Sequence, residues 1–456
     1  MTASMHLPER DEPRKITRAL AGQALAYRYD TLPADVRLLA RQCILDWFGV
    51  TLAGGSDPAH HILAAEAMEQ GGNGLASIIG RPGKYPPQQA ALVNGTTAHA
   101  LDFDDVNLAI SGHPTAVVFS ALLALAQHTG RGGKEVMAAF VAGYETACRV
   151  GVLLAPGHLA RGYHATGTVC SFGAAAACAH LLGLDAEQTA GAMGIAGTQA
   201  AGLKAVFGTM AKPLHAGLAA RNGLAAALLA HRGFQGPADI LEHRMGFAST
   251  HSPDFEVDAA LGLDGGFHIR NNLFKYDVAC FGTIATLECL RQIRQQSAIA
   301  ACAISKVTIH ADLTVATICN IPRPSTGTEA KFSLRANAAY ALLGFDTGRL
   351  DTYSDALAND ERVIQLREKV EVVLMEGWPP MQARVTVRTQ DGASFTAIVD
   401  AGIPEKDLSR QGERVEHKFF QLATPLLGRG PAAQLAGEVA QFDRLEDLAA
   451  LARYGS

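Results

Sequence analysis

The segment AAAACAHLLGLDAEQTAGAMGIAGTQAAG, residues 174–202, limits the folds open to this chain more than any other stretch. It reads as two helices joined by GLDAEQ, where Asp185 caps the second helix and the short link makes the pair antiparallel. Almost every side chain on them is small. Hydrophobic residues make up 48% of the 456 and aromatic residues only 6%, so Ala, Leu, Val and Gly must fill the interior. That composition favours closely packed helices.

The same texture runs from about residue 15 to 265. SALLALAQHTG ends at Gly130, KEVMAAFVAGYETACRVGVLL keeps a period near 3.6, and NGLAAALLAHRGF ends at Gly233. The character changes after LGLDGGFHIRNN. Lys306–Asp312 alternates like a strand, and ARVTVRTQDGASFTAIVD holds two alternating runs around Asp391-Gly392, a hairpin signal. Helical patterns lie between them at FGTIATLECLRQI and AKFSLRANAAYALL, and the tail FDRLEDLAALARY is helical again. The expected fold is mainly α: a large all-helical domain over residues 1–266, completed by 404–456, with a smaller α+β domain over 267–403. Two domains also suit the length.

Composition excludes several functions. A net charge of −5 with no basic stripe argues against a nucleic-acid partner. No stretch reaches about 18 uninterrupted apolar residues, and MTASMHLPERDEPRK lacks the apolar core of a secretion signal, so a cytoplasmic protein with no membrane partner is expected. Eight cysteines are scattered without a C-x-x-C pair, which reads as reduced core thiols and not as a metal or iron–sulfur site. No Walker-type or G-x-G-x-x-G motif follows a strand, so no nucleotide cofactor is indicated.

Three polar constellations interrupt the apolar helices. In ALDFDDVNLAISGHPTA, His99, Asp102 and Phe103 would share one face if helical, and His113 precedes Pro114 at the mouth of the next helix. In RGYHATGTVCSFG, His164 stands beside another helix start. In GTMAKPLHAG, Lys212 precedes Pro213, with His215 close behind. Helix starts favour anions, imidazoles titrate near neutrality, and a lysine can clamp a carboxylate. Together these groups suit proton transfer on a small polyanion. D-x-D-D also permits Mg²⁺ between carboxylates and a diphosphate, but no second acidic cluster supports it.

HALDFDDVN…GHPTAVVFSALLALAQ, GYHATGTVCSFGAAAACAHLLGL, GTMAKPLHAGLAARNGLAAALLAHRGF and NIPRPSTGTEAKFSL together resemble the MmgE/PrpD family. That family includes 2-methylcitrate dehydratase, cis-aconitate decarboxylase and iminodisuccinate epimerase. The resemblance covers nearly the whole chain. It implies a helical domain built from both chain ends, an α+β lid, a homodimer, and a cleft that works without metal or cofactor. Asp102, His113, His164 and Lys212 match the family's catalytic Asp, two His and Lys, and Lys275 in LFKYDVACFGT matches a lid-side lysine. Lys275, His215 and Tyr163 are the expected substrate-binding residues, and Lys331 lies in the lid motif GTEAKFS.

The chain also departs from the family pattern. Val106 stands where dehydratase and decarboxylase branches often carry Thr, Asp277 and Ile284 occupy two His positions, and Ile318 lies near a decarboxylase Tyr. The expected activity is a cofactor-independent lyase or isomerase that removes a proton α to a carboxylate of a small di- or tricarboxylate, in the manner of 2-methylcitrate dehydratase. An epimerase of the iminodisuccinate type and a catalytically silent family member are the alternatives.

Overall fold

The computed structural model describes residues 15–262 and 266–455. The chain forms two units. Of the described residues, the first comprises 15–100, 107–262, 266–270 and 433–455; the second comprises Leu101–Val106 and Asn271–Ala432.

Seven helices of the first unit carry the argument: α1 (Ala34–Gly54), α2 (Pro87–His99), α3 (Pro114–Thr129), α4 (Gly133–Leu154), α5 (Ala165–Leu182), α6 (Ala186–Gly197) and α7 (Ala211–His231). The joint between α5 and α6 follows the sequence closely. Gly183 adopts the left-handed conformation that ends α5, and Asp185 accepts from the Gln188 amide in a capping box. One aromatic cluster sits among the helices of the first unit. Trp47 of α1 packs edge-on against Phe119 at 4.9 Å, and Phe119 meets Phe140 and Phe442 at 6.1 and 6.0 Å.

Elsewhere backbone approaches backbone. A Cβ on Gly217 of α7 would lie 2.1 Å from the Leu92 carbonyl oxygen of α2, and one on Gly95 would lie 2.9 Å from Gly217 Cα. Gly143 of α4 and Gly173 of α5 form a second such pair, each Cβ falling 2.6 Å from the other's carbonyl oxygen. Only glycine permits these approaches. Small residues therefore shape the first unit by letting helix axes close on one another, as well as by filling its core. Two helices, Gly133–Leu154 and Ala165–Leu182, are long and apolar enough to cross a membrane, but 94% and 89% of their apolar windows are buried against other helices of the unit.

The second unit is built on a four-stranded mixed sheet. In chain order its main elements are α8 (Phe281–Gln296), β1 (Ile304–Asp312), α9 (Leu334–Leu343), β2 (Val370–Met375), β3 (Gln382–Thr389), β4 (Ser394–Asp400) and α10 (Leu408–Leu427). The strand order is β2-β1-β3-β4, with β1 and β2 parallel and the other neighbours antiparallel. Val307 and Ile309 of β1 stand opposite Val387 and Val385 of β3, and all four are buried, as strict alternation requires. The β3–β4 hairpin turns at Asp391-Gly392, where Gly392 takes φ +89°.

The chain returns to the helical unit later than the sequence suggested, at Ala433 and not at residue 404. The reason lies in α10. Its Arg414 pairs with Glu288 at 3.3 Å, Lys418 donates to the Phe103 carbonyl at 2.6 Å, and Gln421 donates to Asp346 at 2.8 Å. Each of these partners belongs to the second unit. The tail over 442–455 forms 3₁₀ turns instead of an α-helix, and Gln127 of the first unit donates to the Leu448 carbonyl at 3.2 Å.

Candidate active site

Helix ends place the imidazoles of the first unit. α2 stops at His99, and Pro114 and Ala165 open α3 and α5 directly after His113 and His164. Neither His113 nor His164 uses its side chain as a cap, so each ring can project into the unit. Two backbone bonds tie these junctions together. His113 N–H donates to Thr166 Oγ1 at 3.1 Å, and His164 N–H donates to the Gly202 carbonyl at 3.0 Å. Gly112 enables the first, because a Cβ there would come 2.8 Å from Thr166 Oγ1.

The rings meet in a row. His113 and His99 lie 4.4 Å apart between centroids, His99 stacks on His164 at 5.7 Å with 22° between planes, and His164 Nδ1 sits 3.0 Å from His215 Nδ1. His99, His113 and His164 are buried, and His215 is half-buried. Phe207 meets the His164 ring edge-on at 5.0 Å, and Lys212 Nζ lies 5.4 Å from the centre of the same Phe207 ring. Lys212 and His215 share the first turns of α7. Burial drives the His164 ring far below the ordinary imidazole range, helped by the positive potential of His99, Lys212, His113 and His215. Burial also lowers His215. The His164 ring is therefore neutral near pH 7.

His99 completes the row, although the sequence assigned it only a shared helical face with Asp102. That face does not form. α2 ends at His99, and Asp102 has φ +50°, a left-handed conformation that Asp tolerates better than most residues and that no helix continues through. Phe207 was also missed, since a lone aromatic in a Gly-flanked loop carries no periodic signal.

Tyr163 lies in a different aromatic group. Its ring stacks on His158 at 4.7 Å with 5° between planes and meets His251 at 4.7 Å.

In the second unit Lys275 is buried. Its Nζ donates to the Asp102 backbone carbonyl and lies 3.2 Å from Asp102 Oδ2, so an internal carboxylate balances this ammonium. Asp277 is also buried, and its Oδ1 accepts from Arg291 Nη2 at 2.9 Å and from Thr347 Oγ1 at 2.6 Å. Among the departures from the family pattern, Ile284 is half-buried on α8, Val106 is buried, and Ile318 is exposed.

The chain matches the MmgE/PrpD N-terminal domain over residues 18–260 and the MmgE/PrpD C-terminal domain over residues 278–444. It belongs to the MmgE/PrpD family. Similar curated proteins include the cis-aconitate decarboxylase of Mus musculus, 26% identical over 96% of this chain and 93% of that protein. The cis-aconitate decarboxylase of Homo sapiens is 27% identical over 96% and 94%. That of Aspergillus terreus is 28% identical over 92% of each chain.

Proposed function

We propose that this protein is a lyase acting on a small tricarboxylate by acid–base chemistry at a carbon next to a carboxylate. The observation that carries the reading is the imidazole row His113–His99–His164–His215, with Lys212 on the Phe207 ring that also meets His164, in a chain whose relatives along nearly its full length are named cis-aconitate decarboxylases. Such a lyase must hold negative charge that develops on carbon and must move one proton.

In a decarboxylation the bond to the departing carboxylate breaks, and its electron pair stays on carbon, delocalised towards a remaining carboxylate. A proton then quenches that carbon. In a dehydration a base removes a C–H proton, and hydroxide leaves with a proton from an acid. His164 and His113 are the proposed proton carriers, and Lys212 the proposed partner for substrate negative charge. For Asp102, paired with Lys275 within the second unit, a catalytic role is proposed from its match to the family's Asp. His164 is proposed as a proton carrier because its ring stands between those of His99 and His215.

The test is incubation with cis-aconitate, 2-methylcitrate and citrate in heavy water. Release of carbon dioxide, or gain or loss of an alkene, is expected with one of the three. Deuterium exchange without either change would make the enzyme an isomerase. An absence of both turnover and exchange with all three acids would refute the reading.

A further inference from the structure

We infer that His215 is a positioning residue that selects the ring tautomer of His164, an inference that rests on the acid–base reading above. The two rings meet Nδ1 to Nδ1 at 3.0 Å. Such a contact is a hydrogen bond only when one nitrogen carries a proton and the other offers its lone pair. A neutral imidazole has a single N–H. When His164 holds its proton on Nδ1, its Nε2 is bare and can accept a proton. When His164 is the acceptor, its Nε2 carries the proton and can donate it.

The two rings are thus complementary, and proton transfer between them is balanced. A proton arriving at His164 Nε2 lets the Nδ1 proton cross to His215 Nδ1. His164 is then neutral with Nε2–H, ready to act as an acid, and the positive charge rests on His215. His215 is the less buried of the two rings, so the charge moves to the site where desolvation opposes it less.

The fold makes room for this contact on both sides. A Cβ on Gly167 of α5 would come 2.8 Å from His215 Cβ, and one on Gly202 would come 3.2 Å from His215 Nδ1. The His164 amide is bonded to the Gly202 carbonyl, so the loop that leaves space for His215 also holds the backbone of His164. Among the described residues no carboxylate hydrogen-bonds either ring, and His215 occupies the role a carboxylate or carbonyl usually has in fixing a catalytic imidazole. The groups facing the pair are His99 from α2, His113 from α3, Lys212 from α7 itself, and the edge of Phe207.

The test compares His215→Phe and His215→Asn with His164→Phe in the full chain, by steady-state kinetics across pH. In parallel, ¹⁵N–¹H correlation spectra of histidine-labelled protein at pH 7.5 report ring tautomers. In the wild type one ring of the pair is expected with its proton on Nδ1 and the other with its proton on Nε2. His215→Phe is expected to lower kcat about 100-fold with KM within about threefold, and to move the acidic limb of the kcat profile. His215→Asn, whose amide can occupy the Nδ1 position, is expected to recover kcat to within about tenfold of the wild type.

Loss of kcat in His164→Phe with kcat unchanged in His215→Phe would overturn this inference and leave the acid–base reading intact. Full activity in His164→Phe would overturn both. A raised KM at unchanged kcat in His215→Phe would make His215 a substrate contact instead. Both rings protonated on Nε2 in the wild type would also overturn the inference, whatever the substrate proves to be.

Discussion

Gly217→Ala tests whether backbone contact between helices organises the first unit. The new methyl carbon would stand 2.1 Å from the Leu92 carbonyl oxygen and 2.2 Å from Thr96 Oγ1. Relieving the first clash requires a shift of roughly 1 Å between α2 and α7, and close-packed interiors resist such shifts at about 1–3 kcal/mol. Alanine regains about 1 kcal/mol of helix propensity over glycine, so the net loss is expected near 1 kcal/mol, about a fivefold change in the folding equilibrium. Gly22→Ala, in the helix Ile16–Ala26 of the same unit, is the matched control. Its Cβ would meet nothing within 4 Å, so propensity alone should raise stability by up to about 1 kcal/mol. Urea unfolding followed by far-UV circular dichroism reads both variants. Because the chain has two units, the transition of the helical unit is the one to compare. Gly217→Ala as stable as the wild type, or variants shifting in the same direction, would refute the reasoning.

Three further outcomes are expected. Asp102→Ala should destabilise the second unit by about 2–3 kcal/mol, because Lys275 is buried and loses its carboxylate; adding Lys275→Met should restore most of that in thermal unfolding. Gly392→Ala should cost about 1–2 kcal/mol through the left-handed φ at the hairpin, read as a lower melting temperature of the α+β unit. Stability should fall as pH drops through 6.5. Burial pushes His60 and His158 down to about 4 and His164 lower still, so these rings bind protons only after unfolding. Glu145, pushed up to about 7 by burial, works in the opposite sense by holding its proton in the folded state. Together the four groups should give an uptake of about two protons on unfolding near pH 5.5, and stability that does not change between pH 7 and 5 would contradict this.

Much of the architecture was legible because it depends on local patterns. The 3.6-residue period of α4, the Asp185 cap and the Asp391-Gly392 hairpin are statements about neighbouring residues, and the structure contains each of them. The placement of α10 was not legible, since its Lys418 bonds to Phe103, 315 residues earlier in the chain. The helix starts carrying His113, His164 and Lys212 could be read from Pro114, Pro213 and the small-residue runs that follow. The row of rings could not be read, because the partners of His164 are 65 residues before it in His99 and 51 after it in His215. A predicted helical face for Asp102 failed for a different reason: helix periodicity was extended past a terminus that the Asp102 backbone conformation enforces.

The closest approach of α2 and α7, at Gly95 and Gly217, also acts as a pivot. Gly95 is one helical turn from His99, and Gly217 is two residues from His215. A side chain about 6 Å from the fulcrum moves only about 0.5 Å when the helix rocks by about 5°. Fulcrum and lever arm this short keep angular fluctuations of long helices from spreading the imidazoles beyond the tolerance that proton transfer allows. The glycine contact thus converts a loosely directional hydrophobic bundle into a rigid mount for a few atoms at its helix ends.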